Sequence, residues 1–214
     1  PLPSGLTDME RTVILASKSP RRREILENLG LTVHVLAENP EIRTAFAGDE
    51  EELPGEKPDD YGRRITVEKF EKGLAMKAAS PLRDEPYPVV AADTVVTIDD
   101  VVLGKPRDAD EAMAFLRRLS GRRHRVVTHV CVGTTLENAR VLASSSDVYV
   151  RELSEDEMAR YVATGEPFDK AGGYGIQGLG GLFIPRIDGS FTSVMGLPVV
   201  ETAALLAPFG ISLP

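Results

Sequence analysis

Cysteine is almost absent from this chain. Cys131 is the single one in 214 residues, so no disulfide framework exists, and its setting in Val130-Cys131-Val132 reads as a buried thiol in a reducing compartment. Tryptophan is missing altogether, and histidine occurs three times. His34 stands alone, while His124 and His129 are five apart in a segment with strand character, which puts them on opposite faces and makes a poor metal pair. There is no apolar run of about 18 residues, and Pro1 to Arg11 carries no apolar core of the signal-peptide kind. The expectation is a cytoplasmic protein with no membrane partner. Basic residues are in deficit, with 25 Lys and Arg against 33 Asp and Glu and a net charge of −8. That balance argues against a protein that coats nucleic acid polymers, although a small anion could still sit in a local basic pocket. A Walker-type phosphate loop and a Gly-x-Ser-x-Gly elbow are both missing. Ala92-Asp93-Thr94 lacks the second aspartate two positions on that an aspartyl-phosphate phosphatase needs.

What is present is a hydrophobic content of 42%, enough to fill a core, in apolar strands alternating with amphipathic helices, the pattern of an α/β domain with a mixed sheet. The strand Val13 to Ala16 runs into Ser17-Lys18-Ser19-Pro20-Arg21-Arg22-Arg23 and a helix stopped by Gly30. Ser19 is the expected N-cap and Pro20 the first helical residue, so hydroxyls and guanidinium groups gather where unpaired N–H groups favour an anion. A capped surface helix with solvated arginines would read the same way if it stood alone. Further strands are expected at 31–36, 89–98, 101–103, 123–136, 139–151 and 181–187. Helices are expected over Tyr61–Ala79, Asp108–Leu119, from Ser154 to near Gly165 with Glu157 completing a capping box, and over Leu197–Leu206. Residues 38–60, acidic with Pro and Gly, read as a loop of solvated carboxylates. Any two lobes must share one sheet, because no linker separates them.

Asp93 stands in the middle of the apolar run Val89 to Ile98. A buried acid is costly unless paired, hydrogen-bonded or bound to a cation, so either Thr94 and loop N–H groups satisfy it or it has a functional partner. Lys105, in Gly104-Lys105-Pro106 after the hairpin, could meet an anion at the same place. From Asp169 to Gly181 six glycines fall within ten positions, a density that lets backbone approach a ligand, and Gln177 among them offers a donor and an acceptor to a nucleobase edge. Tyr174, Ile176 and Leu179 would anchor this segment to a core.

In order and spacing, Ser17-Lys18-Ser19-Pro20-Arg21-Arg22, Ala92-Asp93-Thr94, Gly104-Lys105-Pro106, Leu119-Ser120-Gly121 and Asp169 to Gly178 resemble the Maf family of nucleoside triphosphate pyrophosphatases. The resemblance runs from Val13 to the final helix and implies one domain over 12–210 after an N-terminal extension, 1–11. The motifs Ala-Asp-Thr and Asp-Lys-Ala-Gly-x-Tyr-Gly-Ile-Gln-Gly are similar to the branch that hydrolyses dTTP and UTP. What the resemblance implies is a mixed α/β fold similar to the inosine triphosphate pyrophosphatases, with an elongated twisted sheet and two lobes around a cleft. It also implies a divalent metal, Mg²⁺ or Mn²⁺, and a homodimer. Carried over residue by residue, Ser17, Ser19, Arg21 and Arg22 are phosphate ligands, Asp93 the essential acid, Thr94 its neighbour, Lys105 the hairpin lysine and Gln177 the glutamine of the glycine-rich segment. The metal-binding glutamate falls on Glu41, with Glu38 as the alternative, and the helical lysine on Lys72, with Lys69 one turn earlier. The activity implied is hydrolysis of the α–β phosphoanhydride bond, with Asp93 as base and metal ligand. The alternative is a nucleotide-binding regulator of cell division or septation without turnover.

Overall fold

In the computed structural model, which describes residues 11–36 and 51–213, the apolar segments assemble into one mixed sheet of seven strands. The strands are β1 (Thr12–Leu15), β2 (Thr32–Val35), β3 (Val89–Ile98), β4 (Val101–Leu103), β5 (Arg123–Gly133), β6 (Arg140–Tyr149) and β7 (Arg186–Asp188). Their order is β2-β1-β3-β5-β6-β7, with β4 also against β3. The β2-β1-β3 half is parallel and the rest antiparallel. The helices are α1 (Pro20–Asn28), α2 (Pro58–Ala78), α3 (Ala109–Leu119), α4 (Glu155–Ala163), α5 (Phe191–Met195) and α6 (Val199–Leu206).

The pairing of β3 opens the sheet at one place. Along one edge β5 matches it from Val89 to Thr97. Along the other edge β1 reaches only Val89 and Val90, while β4, folded back by the turn at Asp99 and Asp100, covers Val96 to Ile98. Both turn residues have positive φ, 52° and 59°, the conformation of a two-residue hairpin loop whose twist matches that of its strands. Ala91 to Val95 therefore have no strand partner on that edge among the described residues. The β1–α1 loop and the end of β4 converge on the gap.

Alternation along β3 distributes its side chains between two faces. Val89, Ala91, Asp93 and Val95 face α2, whose buried Tyr61, Ile65, Lys69, Phe70, Gly73 and Met76 recur at helical spacing. On the opposite face two apolar clusters lie side by side. Val90, Ala92, Val130 and Val132 pack under α1 and α6, and Val96, Ile98, Val126 and Val148 pack under α3 and α4. Between them runs a polar row across neighbouring strands, Thr94, Thr128 and Ser144, which the register places opposite one another. The Thr94 and Thr128 hydroxyls lie 2.9 Å apart, Thr128 Oγ1 donates to the Ser193 carbonyl at 2.7 Å, and Ser193 Oγ donates to the Ser144 carbonyl at 3.1 Å. The two lobes are thus two cores on one sheet, divided by hydrogen bonds.

Several boundaries differ from expectation. Helix α2 begins three residues early because Pro58 takes the first helical position, with Asp59 and Asp60 in its first turn. The strand expected at 181–187 is a 3₁₀ turn over Leu179–Phe183, and only Arg186–Asp188 pairs with β6. The glycines that made the segment look open also let it coil. The short helix α5, capped by Ser190 Oγ, was not expected. The Ser154–Glu157 capping box forms as read.

Candidate active site

The gap in β3 opens into a cavity of about 290 Å³. Its walls carry the basic side chains Lys18, Arg21, Arg22, Lys69, Lys105 and Lys170 against the carboxylates Asp93 and Asp169. In a chain of net charge −8 this is a local reversal of sign, and it suits a polyanion.

Asp93 is buried, and its Oδ1 accepts from Lys69 Nζ at 2.6 Å. The side chains are 7% and 11% exposed, so the pair sits almost out of water. Of the two helical lysines, it is Lys69 that lines the cavity; Lys72, the expected residue, is half-buried one turn further on and does not. The spacing of α2's buried face carried the signal, since Lys69 occupies a position in the apolar stripe beside Ile65, Phe70 and Gly73. Glu41 and Glu38 lie outside the described residues. Among the described residues no cluster of three or more His, Cys, Asp or Glu side chains could hold a metal.

At the β1–α1 turn, Ser17 Oγ accepts from Ser19 N at 3.1 Å and from Arg22 Nη1 at 3.3 Å, while Ser19 caps the helix through Arg22 N. The N-terminus of α1 lines the cavity, with both serine hydroxyls at its mouth. The two arginines differ. Arg22 is held by three elements: Nε donates to the Gly196 carbonyl at 2.8 Å, Nη2 to Thr94 Oγ1 at 3.2 Å and Nη1 to Ser17. Arg21 reaches across the opening to Asp169 Oδ2 at 3.5 Å. Lys105 lines the cavity from the end of β4 and has no ion pair among the described residues.

The glycine-rich segment forms the far wall. Gly172, at φ 75°, packs on Val96, and its N–H donates to the Gly104 carbonyl at 3.1 Å, which ties the segment to the hairpin. Tyr174 is buried with its hydroxyl 2.7 Å from His124 Nε2. Burial pushes the His124 imidazole down to about 4, so it is neutral near pH 7. Gln177 is exposed and lines the cavity, as does Thr94. Lys170 Nζ donates to Asp169 Oδ1 at 2.6 Å and to the Glu166 carbonyl at 2.9 Å. Neither Lys18 nor Lys170 was singled out from sequence, because a lone lysine shows no pattern. Cys131 is buried and its thiol is pushed up to about 12, an inert group away from this wall.

The family model described as Maf-like protein matches residues 12–209. The chain belongs to the Maf-like protein family. Relatives named dTTP/UTP pyrophosphatase include one from Chromobacterium violaceum, 48% identical over 94% of this chain and 96% of its own. Another from Burkholderia orbicola is 49% identical over 90% of each chain, and one from Dechloromonas aromatica is 46% identical over 92% and 96%. Among solved structures, the Ham1 protein of Staphylococcus aureus aligns over 65% of this chain and 71% of its own, with 14% identity and a TM-score of 0.42. No helix among the described residues of this Maf-like chain is long and apolar enough to cross a membrane.

Proposed function

We propose that this protein is a nucleoside triphosphate pyrophosphatase that hydrolyses dTTP and UTP at the α–β phosphoanhydride bond, giving the nucleoside monophosphate and pyrophosphate. The observation that carries the proposal is the buried Asp93, paired with Lys69 and facing a cavity whose wall is basic in an otherwise acidic chain. The names of the 46–49% identical relatives support the substrate.

Asp93 takes the proton of a water that attacks the α-phosphorus; the α-phosphorus to bridging-oxygen bond breaks, and pyrophosphate leaves with the bond's electrons. Lys69 pairs with Asp93 and orients it, in the place expected for Lys72. Arg21 and Lys105 stabilise the charge that builds on the phosphates, joined by Lys18 and Lys170. Ser17 and Ser19, at the helix N-terminus, bind phosphate oxygens through hydroxyl and backbone N–H groups. Arg22, with three donors engaged, holds Ser17 and Thr94 in place. Gln177 reads the base, and Thr94 lines its approach.

The metal that the family implies fits the donor chemistry. Asp93 offers a carboxylate facing the cavity, and Mg²⁺ or Mn²⁺ bound by one or two carboxylates takes its remaining oxygens from substrate phosphates and water. The second carboxylate in this proposal is Glu41. When bound, the ion neutralises phosphate charge and lowers the pKa of a bound water. A cytoplasmic location and a homodimer belong to the same proposal, the latter checked by light scattering on the purified chain. The decisive test is a panel of nucleoside triphosphates with Mg²⁺ or Mn²⁺, reading monophosphate and pyrophosphate. Formation of both from dTTP and UTP is expected; nucleotide binding without pyrophosphate release would favour the regulator without turnover.

A further inference from the structure

The glycines of the 172–181 segment invite the reading that they make room for a ligand, but at five of the six the room is already taken. A Cβ on Gly178 would strike the carboxylate of Glu166, one on Gly180 would lie 2.6 Å from the Gly175 carbonyl and 2.8 Å from Tyr161 Oη, and one on Gly175 would lie 2.5 Å from Lys170 Cε. The segment is wrapped around an internal anion. Glu166 Oε2 accepts from Leu179 N at 2.9 Å, and Oε1 accepts from Gly180 N at 3.0 Å and from Tyr161 Oη at 2.8 Å. Tyr161 Oη in turn accepts from Gly175 N at 3.1 Å. Both ends of the stretch 175–180 are thus tied, directly or through one hydroxyl, to a single carboxylate, and Gln177 sits between the ties. Burial opposes the charge on Glu166, yet the Gly180 and Leu179 N–H groups and the Tyr161 hydroxyl hold its pKa below the usual carboxylate range.

We propose that Glu166 is the positioning residue of the base-reading wall, its carboxylate acting as an internal ligand that fixes the 175–180 backbone and thereby the aim of Gln177. The inference rests on the proposed function only in assigning a base to that wall. The Glu166 carboxylate makes no hydrogen bond to the phosphate site: its partners are on α4 and on the segment itself, Lys170 bonds only the Glu166 backbone carbonyl, and Arg21, Lys69, Asp93 and Lys105 are carried by other elements. Its loss should therefore be felt in nucleotide discrimination rather than in the chemical step.

The test is Glu166→Gln in the full chain, which keeps size and shape but turns an N–H₂ group toward a backbone N–H. With UTP, dTTP and CTP at fixed Mg²⁺, KM for UTP and dTTP should rise about tenfold while kcat stays within about threefold, and the loss on UTP should exceed that on CTP at least about fivefold. Unchanged kinetics, or equal loss of kcat on all three substrates, would overturn the proposal. Amide exchange on the unmodified protein decides independently of whether the variant folds. Leu179 and Gly180 N–H should be protected like core amides, and exchange as fast as in an open loop would overturn it. An absence of triphosphate hydrolysis in the unmodified protein would refute the proposed function and leave the exchange result to judge Glu166.

Discussion

Exchange of Lys69 for methionine isolates the central pair. The substitution keeps the length and the apolar stem packed in α2 but leaves Asp93 buried without its ammonium at 2.6 Å. Breaking one partner from a buried ion pair costs about 3–5 kcal/mol, because the survivor keeps its desolvation penalty and loses its compensation. In a domain of this size 1 kcal/mol moves Tm by about 2–4 °C, so a fall of about 10 °C is expected. Activity should fall at least about a hundredfold, as for loss of a general base, since the carboxylate loses the ammonium that holds it in place. Lys72→Met is the comparison: Lys72 is half-buried and away from the cavity, so its loss should stay within about 0.5 kcal/mol and leave kcat/KM nearly unchanged. In the double variant Lys69→Met/Asp93→Asn both charges are gone, and the stability loss should fall well below the sum of the single losses. Calorimetry and pyrophosphate release on the unmodified protein, on Lys69→Met, Lys72→Met and Asp93→Asn, and on the double variant are the assays. Equal effects of the two lysine substitutions, or strict additivity in the double variant, would refute the assignment of Lys69 as the partner of Asp93.

Asp93→Asn should abolish turnover by at least about a hundredfold in a folded protein, read by pyrophosphate release and circular dichroism. Arg21→Ala and Lys105→Ala should each lower kcat/KM strongly, and losses confined to twofold, about 0.4 kcal/mol, would place the anion site elsewhere. Thr128→Val should cost about 0.5–1.5 kcal/mol in urea unfolding, since it removes one of the hydrogen bonds made by the Ser193 carbonyl, which keeps Gly196 N, and by Thr94, which keeps Arg22. The His124 pKa of about 4 lies below its unfolded value, so the unfolded chain binds the extra proton between about pH 6.5 and 4 and stability falls as pH drops through that window. His124→Gln should flatten that acid loss in urea midpoints taken at pH 7 and pH 5.

Those elements were legible whose signals are local. The cap at Ser19, the capping box at Ser154, the Asp99-Asp100 turn and the continuous apolar run of β3 each follow from neighbouring residues, and each forms. The coil at 179–183 and the helix α5 were not legible, because both depend on distant partners: the first on a carboxylate thirteen residues back, the second on packing over the Thr128 row. The same division runs through the site. Asp93 announced itself because an acid in an apolar strand is an anomaly at the level of sequence. Its partner left a weaker trace, since only the place of Lys69 in the apolar stripe of α2 separates it from Lys72, and that place gains its meaning once the helix is laid on the sheet. Glu166 was hidden more deeply, as one acid among many in a chain rich in them.

A sheet whose strands all paired to their full length would have no such site. Asp93 is tolerable in the core because β1 stops at the level of Val90 and β4 begins at Val96, which leaves the strand open beside it, while the next residue, Thr94, hands the polar row on to Thr128 and Arg22. Both loops that leave the gap carry cations that line the cavity with its acid, Lys18 and Arg21 from one and Lys105 from the other, while Lys69 on α2 supplies the ion pair to Asp93 itself. The mismatch in strand length and the basic wall are therefore one feature: the place where the sheet is left unpaired is the place where charge can be brought to an otherwise buried carboxylate. Extending β4 by two residues at its C-terminal end would close the gap over Val95 and Thr94 and exchange an open cleft for a continuous strand edge.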